Sequence, residues 1–140
     1  MLLFIFTSIL FHACKKDDST AVNLCLAEID GEFIEVELDV LPYYLNGGET
    51  AFYTAIMKVA KYPPEARELG YEGLSIVDFE ISKKGEIENV GIVQDPGGGI
   101  GDATIEAVQV VGNGEVFSPG RYNKNPVRVK KQLELRFRLE

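Results

Sequence analysis

VRVKKQLELRFRLE, residues 127–140, writes two surfaces into one strand. Successive side chains of an extended chain point to opposite faces. Val127, Val129, Leu133, Leu135, Phe137 and Leu139 therefore share one face, broken only by Lys131, while Arg128, Lys130, Gln132, Glu134, Arg136 and Arg138 share the other. A strand with this pattern is half-buried, apolar side on a core and polar side to water. Its outward face is mostly cationic, although the chain carries a formal net charge of −8.

The charge is unevenly placed. From residue 121 onward Arg121, Lys124, Arg128, Lys130, Lys131, Arg136 and Arg138 meet only Glu134 and Glu140, so the upstream sequence is strongly acidic. Asp plus Glu exceed Lys plus Arg by 22 to 14, which argues against general nucleic-acid binding, since neutralising phosphates needs surplus bases. A chain of 140 residues, 46% apolar and 26% charged, is expected to form one domain with an ordinary core.

Upstream of the last strand the sequence reads as alternating hairpins and helices. Residues 21–40 hold two runs separated by Asp30-Gly31, a dipeptide that accepts the positive φ angles of a tight hairpin turn. In the second run Ile34, Val36, Leu38 and Val40 alternate with Glu35, Glu37 and Asp39, and the acidic face is available to solvent or to the basic last strand. Phe52, Ala55, Ile56, Val59 and Ala60 recur at helical spacing and predict a helix over 49–61, stopped by Tyr62-Pro63-Pro64. Pro64 opens a short second helix that Gly70 ends. Two strands follow, turning at Lys83-Lys84-Gly85-Glu86, with Val77, Phe79 and Ile81 as the buried face of the first. A last helix is expected from Asp102, as N-cap, to Val111.

Gly97, Gly98, Gly99 and Gly101 precede that helix without forming a nucleotide site. Counting from Gly97, the sixth place of a dinucleotide fingerprint is Asp102, and no Gly-Lys-Ser/Thr is present. The only histidine, His12, lies in the apolar leader, so a mature chain would lack any histidine-based relay. Glu86 and Glu88 share a strand face, but surface carboxylate pairs are usually solvent contacts, and the reading is of a protein that is not an enzyme and needs no metal or cofactor.

Residues 2–11 are apolar apart from Thr7 and Ser8, too short to span a bilayer but the length of a signal-peptide core. Ala13 and Cys14 followed by Lys15, Lys16, Asp17 and Asp18 resemble a bacterial lipoprotein signal, with residues 1–13 removed and Cys14 lipidated; a plain signal peptide or a buried N-terminal strand is the alternative. With Cys14 lipidated, Cys25 stands alone and no internal disulfide is expected.

A set of short signatures in fixed order gives the rest of the chain a family likeness. PYYLNGGETAF (42–52), KYPPEARELGYEG (61–73), VDFEISKKGEIENVGIVQDPGGG (77–99), GDATIEAV (101–108), FSPGRYNKNPVRV (117–129) and LELRFRL (133–139) together resemble the C-terminal domain of TonB, in the form common in Bacteroidetes. Phe117 stands where that family usually has Trp. The resemblance implies an α+β domain over 42–140, a three-stranded antiparallel sheet backed by two helices with the C-terminal strand on an edge, preceded here by a linker and hairpin over 14–41.

The resemblance also implies a partner. In the family the edge strand pairs with the TonB box, an extended segment of an outer-membrane TonB-dependent transporter. Carried over residue by residue, the partner-binding positions are Tyr62, Pro63, Glu65, Ala66 and Arg67 after the first helix, and Arg128, Lys130, Gln132, Arg136 and Arg138 on the last strand. A transducer's inner-membrane helix and proline-rich spacer have no counterpart in these residues, so the expectation is an interaction module, lipid-anchored to the outer membrane on the periplasmic side or the cell surface. The alternative is a structural envelope lipoprotein forming a homodimer through the same edge.

Overall fold

The computed structural model describes residues 14–16 and 23–140. The expected signal segment, residues 1–13, lies outside the described residues. Along the chain the elements are β1 (Cys14–Lys16), β2 (Asn23–Ile29), β3 (Glu32–Glu37), β4 (Tyr43–Tyr44), α1 (Gly48–Val59), α2 (Pro64–Leu69), β5 (Gly73–Ile81), β6 (Ile87–Gln94), α3 (Ile100–Val111), β7 (Phe117–Ser118), β8 (Gly120–Tyr122), β9 (Asn125–Val127) and β10 (Val129–Phe137).

The α+β class is as expected, and β5 lies between β10 and β6. β10 and β5 run antiparallel in unbroken register from Val129 opposite Ile81 to Phe137 opposite Gly73. The sheet is larger than the three strands expected. It has six, in the order β1-β2-β10-β5-β6 with β3 on the outer side of β2, so the N-terminal hairpin is part of the same sheet. The cause lies at the start of β10, where Glu28 N–H donates to the Arg128 carbonyl at 2.9 Å and Ala27 and Leu26 lie opposite Val129 and Lys130. The three helices read from the residues form, one more than the resemblance implied: Pro64 fixes φ for a first turn and Gly70, at φ 75°, closes α2 after six residues.

Turn chemistry sets the hairpins. Asp30 and Gly31 both take positive φ, 51° and 84°, as a two-residue turn requires. α1 ends where the prolines demand, with Ala60 already extended. The expected N-cap at Asp102 is corrected: α3 begins at Ile100, and the Asp95 carboxylate accepts from Gly97 N–H at 2.9 Å and Gly101 N–H at 3.0 Å. Asp102 falls in the first turn instead, where a negative charge still suits the helix dipole.

The main core lies between α1, α3 and one face of β5 and β10, built from Phe52, Ile56, Val77, Phe79, Val108, Leu133, Leu135 and neighbours. Phe52, Phe79, Phe117 and Tyr44 pack ring against ring at centroid distances of 5.1 to 5.8 Å, each such pair contributing about 0.5–1.5 kcal/mol beyond area burial. Phe117 thus fills its place in the core as a ring. Ser75 on the core face is satisfied by Thr104 of α3 at 2.8 Å, and Thr104 donates to the Ile100 carbonyl. A second, smaller cluster of Cys25, Ala27, Leu38, Val127 and Val129 joins the hairpin to the root of β10.

The expectation of a solitary Cys25 is corrected. Cys14 lies opposite Cys25 in the β1–β2 ladder and the two form a disulfide. A sulfur bonded to Cys25 cannot also carry a lipid thioether, so the disulfide and the expected acylation of Cys14 exclude each other.

Candidate partner-strand site

Which backbone groups of β10 face outward follows from one hydrogen bond. In an extended strand the N–H and C=O of one residue point to the same side, and neighbours alternate. The Arg128 carbonyl is bonded to β2, so the even-numbered residues face away from β5 and the odd-numbered ones bond to it. β2 stays beside β10 only as far as Lys130. From there Cys14 of β1 takes the place opposite Cys25 that Lys131 would have filled, and β10 leaves β2. Gln132, Glu134 and Arg136 then present N–H and C=O groups that meet no strand among the described residues.

α1 borders this open edge. Near its start Glu49 accepts from the Lys131 ammonium at 3.3 Å, and just beyond its end the Tyr62 ring stands edge-to-face on Phe137 at 5.5 Å. Helix and strand therefore run alongside each other in the same direction, with a groove between them. The Lys131 interruption of the apolar face is explained: its side chain crosses the groove mouth to α1. Because Glu49 is largely in water, the pair contributes about 0–1 kcal/mol. Behind it a hollow of about 210 Å³ is lined by Tyr44, Phe52, Phe79, Phe117 and Leu133, with Lys131, Gln132 and Glu134 at its rim.

The expected site residues divide. Gln132, Arg136 and Arg138 lie on or just beyond the open stretch of β10, with Arg136 and Arg138 exposed. Arg67 sits with its guanidinium 5.5 Å over the Tyr62 ring, at the Phe137 end of the groove. Glu65 is exposed on α2. Tyr62, Pro63 and Ala66 hold the turn together: the Tyr62 hydroxyl donates to the Tyr71 carbonyl, Ala66 is fully buried, and Gly98, at φ 65°, packs so closely on Ala66 that a Cβ there would lie 2.7 Å from it. The Tyr62 phenol is held above its ordinary pKa, first by partial withdrawal from water and then by the Glu72 carboxylate, with Arg67 opposing.

Arg128 and Lys130 differ from expectation. Both lie where the hairpin covers β10. The Arg128 guanidinium is committed internally, to Glu88 at 2.6 Å, Glu28 at 3.5 Å and Glu80 at 3.6 Å. The hydrogen bond that it donates to Glu88 comes first among the causes that hold it protonated above the ordinary arginine value, with burial opposing. Lys130 lies 5.0 Å over the Phe33 ring. Arg128 is thus the clasp between hairpin and sheet. Arg128→Met leaves three carboxylates facing one another and is expected to lower stability by about 1–2 kcal/mol in urea unfolding, near the low end for a broken ion network because a quarter of the arginine meets water. A loss under 0.5 kcal/mol would remove the clasp. Glu88 is engaged in this cluster, while Glu86 bridges to Glu115 through the backbone.

Lys131, Glu49, Glu134 and the aromatic walls were missed as site residues. Only Lys131 left a trace in the sequence, as the polar break in an apolar register.

No curated protein matches the chain. The family described as Gram-negative bacterial TonB protein C-terminal matches residues 58–139. The match opens inside α1, so the hairpin that clasps the root of β10 lies outside it. Among solved structures, an NMR solution structure of the Helicobacter pylori TonB-CTD is similar at 24% identity with a TM-score of 0.45, over 61% of this chain and 89% of that one. A longer version of that domain, also by NMR, gives 20% identity and a TM-score of 0.43, over 69% of this chain and 91% of that one.

Proposed function

The chain belongs to the family of Gram-negative bacterial TonB C-terminal domains, and from that premise we propose that it is an envelope interaction module that takes up an extended segment of an outer-membrane TonB-dependent transporter by strand addition to β10. It supports transport across the outer membrane and performs no catalysis. One observation carries the reading: the N–H and C=O groups of Gln132, Glu134 and Arg136, which meet no strand among the described residues, bordered by α1 and flanked by Arg136, Arg138 and Arg67. Each hydrogen bond to an added strand contributes about 0.5–1.5 kcal/mol net, so the short edge suits a modest, exchangeable contact. A lipid on Cys14 belongs to this proposal only for molecules in which the bond to Cys25 is not made.

The test is titration of the chain with a blocked peptide carrying an acidic transporter box, followed by amide chemical shifts. Saturable binding with the largest shifts at residues 132, 134 and 136 is expected; saturation without shifts there defeats the reading. Arg136→Glu reverses the nearest exposed charge and should weaken the acidic peptide by about 3- to 10-fold at low salt, a difference that closes at high salt because rim charges are screened. An affinity that ignores the reversal removes the electrostatic part.

A second copy of the chain is the other occupant that the edge favours. Antiparallel pairing in the register that sets Glu134 opposite Arg136 brings two ion pairs across the symmetry axis while keeping the outward backbone groups matched. Sedimentation over a wide concentration range separates the two: a dimer unaffected by peptide supports self-pairing.

A further inference from the structure

We propose that the hollow between α1 and β10 is a side-chain pocket that selects an aromatic residue in the added strand; this rests on the strand-addition reading above and specifies its partner. The hollow and the open edge share residues, since Gln132 and Glu134, whose backbone groups face outward, stand at its rim beside Lys131 and Leu133. An added strand lies about 4.8 Å from β10. Side chains opposite one another in paired strands share a face, so the partner residue beside Leu133 points to the helix side of the sheet, whether the strand arrives parallel or antiparallel. On that side it meets the hollow.

Size and chemistry then choose the occupant. A volume of about 210 Å³ is below the roughly 300–1,000 Å³ of ordinary small-molecule sites, yet exceeds the cavity of about 150 Å³ that takes up a benzene ring. Phe52 and Phe117 already pack edge to face, with Tyr44 and Phe79 tilted against Phe52, and one more ring extends that cluster. Lys131 and Glu49 stand across the mouth at 3.3 Å, and the exposed side of this pair can swing outward to admit the ring. An acidic residue two places from the aromatic one, on the same face of the added strand, would then replace Glu49 as the partner of Lys131.

Two blocked decapeptides of alternating acidic and β-branched residues, identical except for a central Phe or Ala, are titrated calorimetrically against the full chain. The Phe peptide is expected to bind at least about 10-fold more tightly, as burial of an aromatic side chain implies. In Lys131→Phe the chain's own ring fills the mouth, and the Phe-to-Ala ratio should fall to within about twofold. Should that variant fail to fold, Glu49→Phe, at an exposed position in the first turn of α1, carries the same test. A ratio near one in the unmodified chain, with both peptides binding, overturns the pocket and leaves the edge standing. A strong Phe preference that survives the filling substitution also overturns it. Binding of neither peptide removes the edge reading and the pocket together.

Discussion

Glu134→Pro is expected to weaken partner-strand binding sharply in a chain that remains as stable as before to within about 1–2 kcal/mol, whereas Leu135→Pro, one residue on, is expected to destabilise the fold severely. The contrast comes from the alternation of backbone groups along β10. Glu134 N–H points to the open edge, where proline is tolerated because no ladder bond is lost. For an incoming strand the ring stands where its carbonyl must approach, which removes one bond and strains its neighbours. The predicted loss of peptide affinity is about 10- to 100-fold, more than a single hydrogen bond would give, with a stability change of no more than about 1–2 kcal/mol. Leu135 lies opposite Ser75 in the central ladder, so its N–H bonds to β5 and its side chain is 5% exposed. Proline there orphans a buried carbonyl and empties part of the core, for roughly 3–6 kcal/mol in all, a large share of a small domain's 5–15. Thermal melts and peptide titration of both variants check the pair. Equal melting losses would show that the outward and inward residues have been assigned the wrong way round; unchanged peptide affinity in folded Glu134→Pro would remove β10 as the docking edge.

Gly85→Ala tests how the β5–β6 turn is held against the aromatic core. Gly85 is at φ 86°, and a Cβ added there would fall 1.7 Å from the Phe117 carbonyl oxygen. The two residues are also bonded, Phe117 N–H donating to the Gly85 carbonyl at 3.0 Å. Alanine must push the turn off β7, and Phe117, a wall of the hollow, moves with it. Gly31 is a natural control. Its φ is 84°, nearly the same, and nothing lies within 4 Å of an added Cβ. Gly31→Ala should therefore show the backbone strain alone, about 1–2 kcal/mol, and Gly85→Ala roughly 3–5 kcal/mol, both read from urea unfolding. Equal losses would mean that the turn yields freely and that the close approach is not a constraint.

Much of this molecule follows from local pattern. The period-two alternation in residues 127–140 placed Leu133, Leu135 and Phe137 in the core, Asp30-Gly31 and Gly85 set the two hairpin turns, and Tyr62-Pro63-Pro64 ended the first helix. These features are legible because each depends on a few adjacent φ/ψ preferences and on one face being apolar. The order of short signatures carried the family in the same way, being a property of the chain alone. The candidate site was legible only in part: the alternation marks β10 as half-buried, but Arg128 and Lys130, read from the sequence as partner-binding, contact Glu88 and the Phe33 ring.

Tertiary structure decided the rest. Side-chain alternation fixes which face of β10 is buried, but which N–H groups look outward depends on the side from which β5 approaches. Where the hairpin stops covering β10 depends on Cys14 meeting Cys25, a contact between segments joined by no local rule. The ring-lined hollow is assembled from α1, β4, β5, β7 and β10, whose convergence no stretch of sequence contains. Dihedral preference and hydrophobic period act within a few residues, whereas an edge and a pocket are relations between distant ones, and they exist only once the chain has closed on itself.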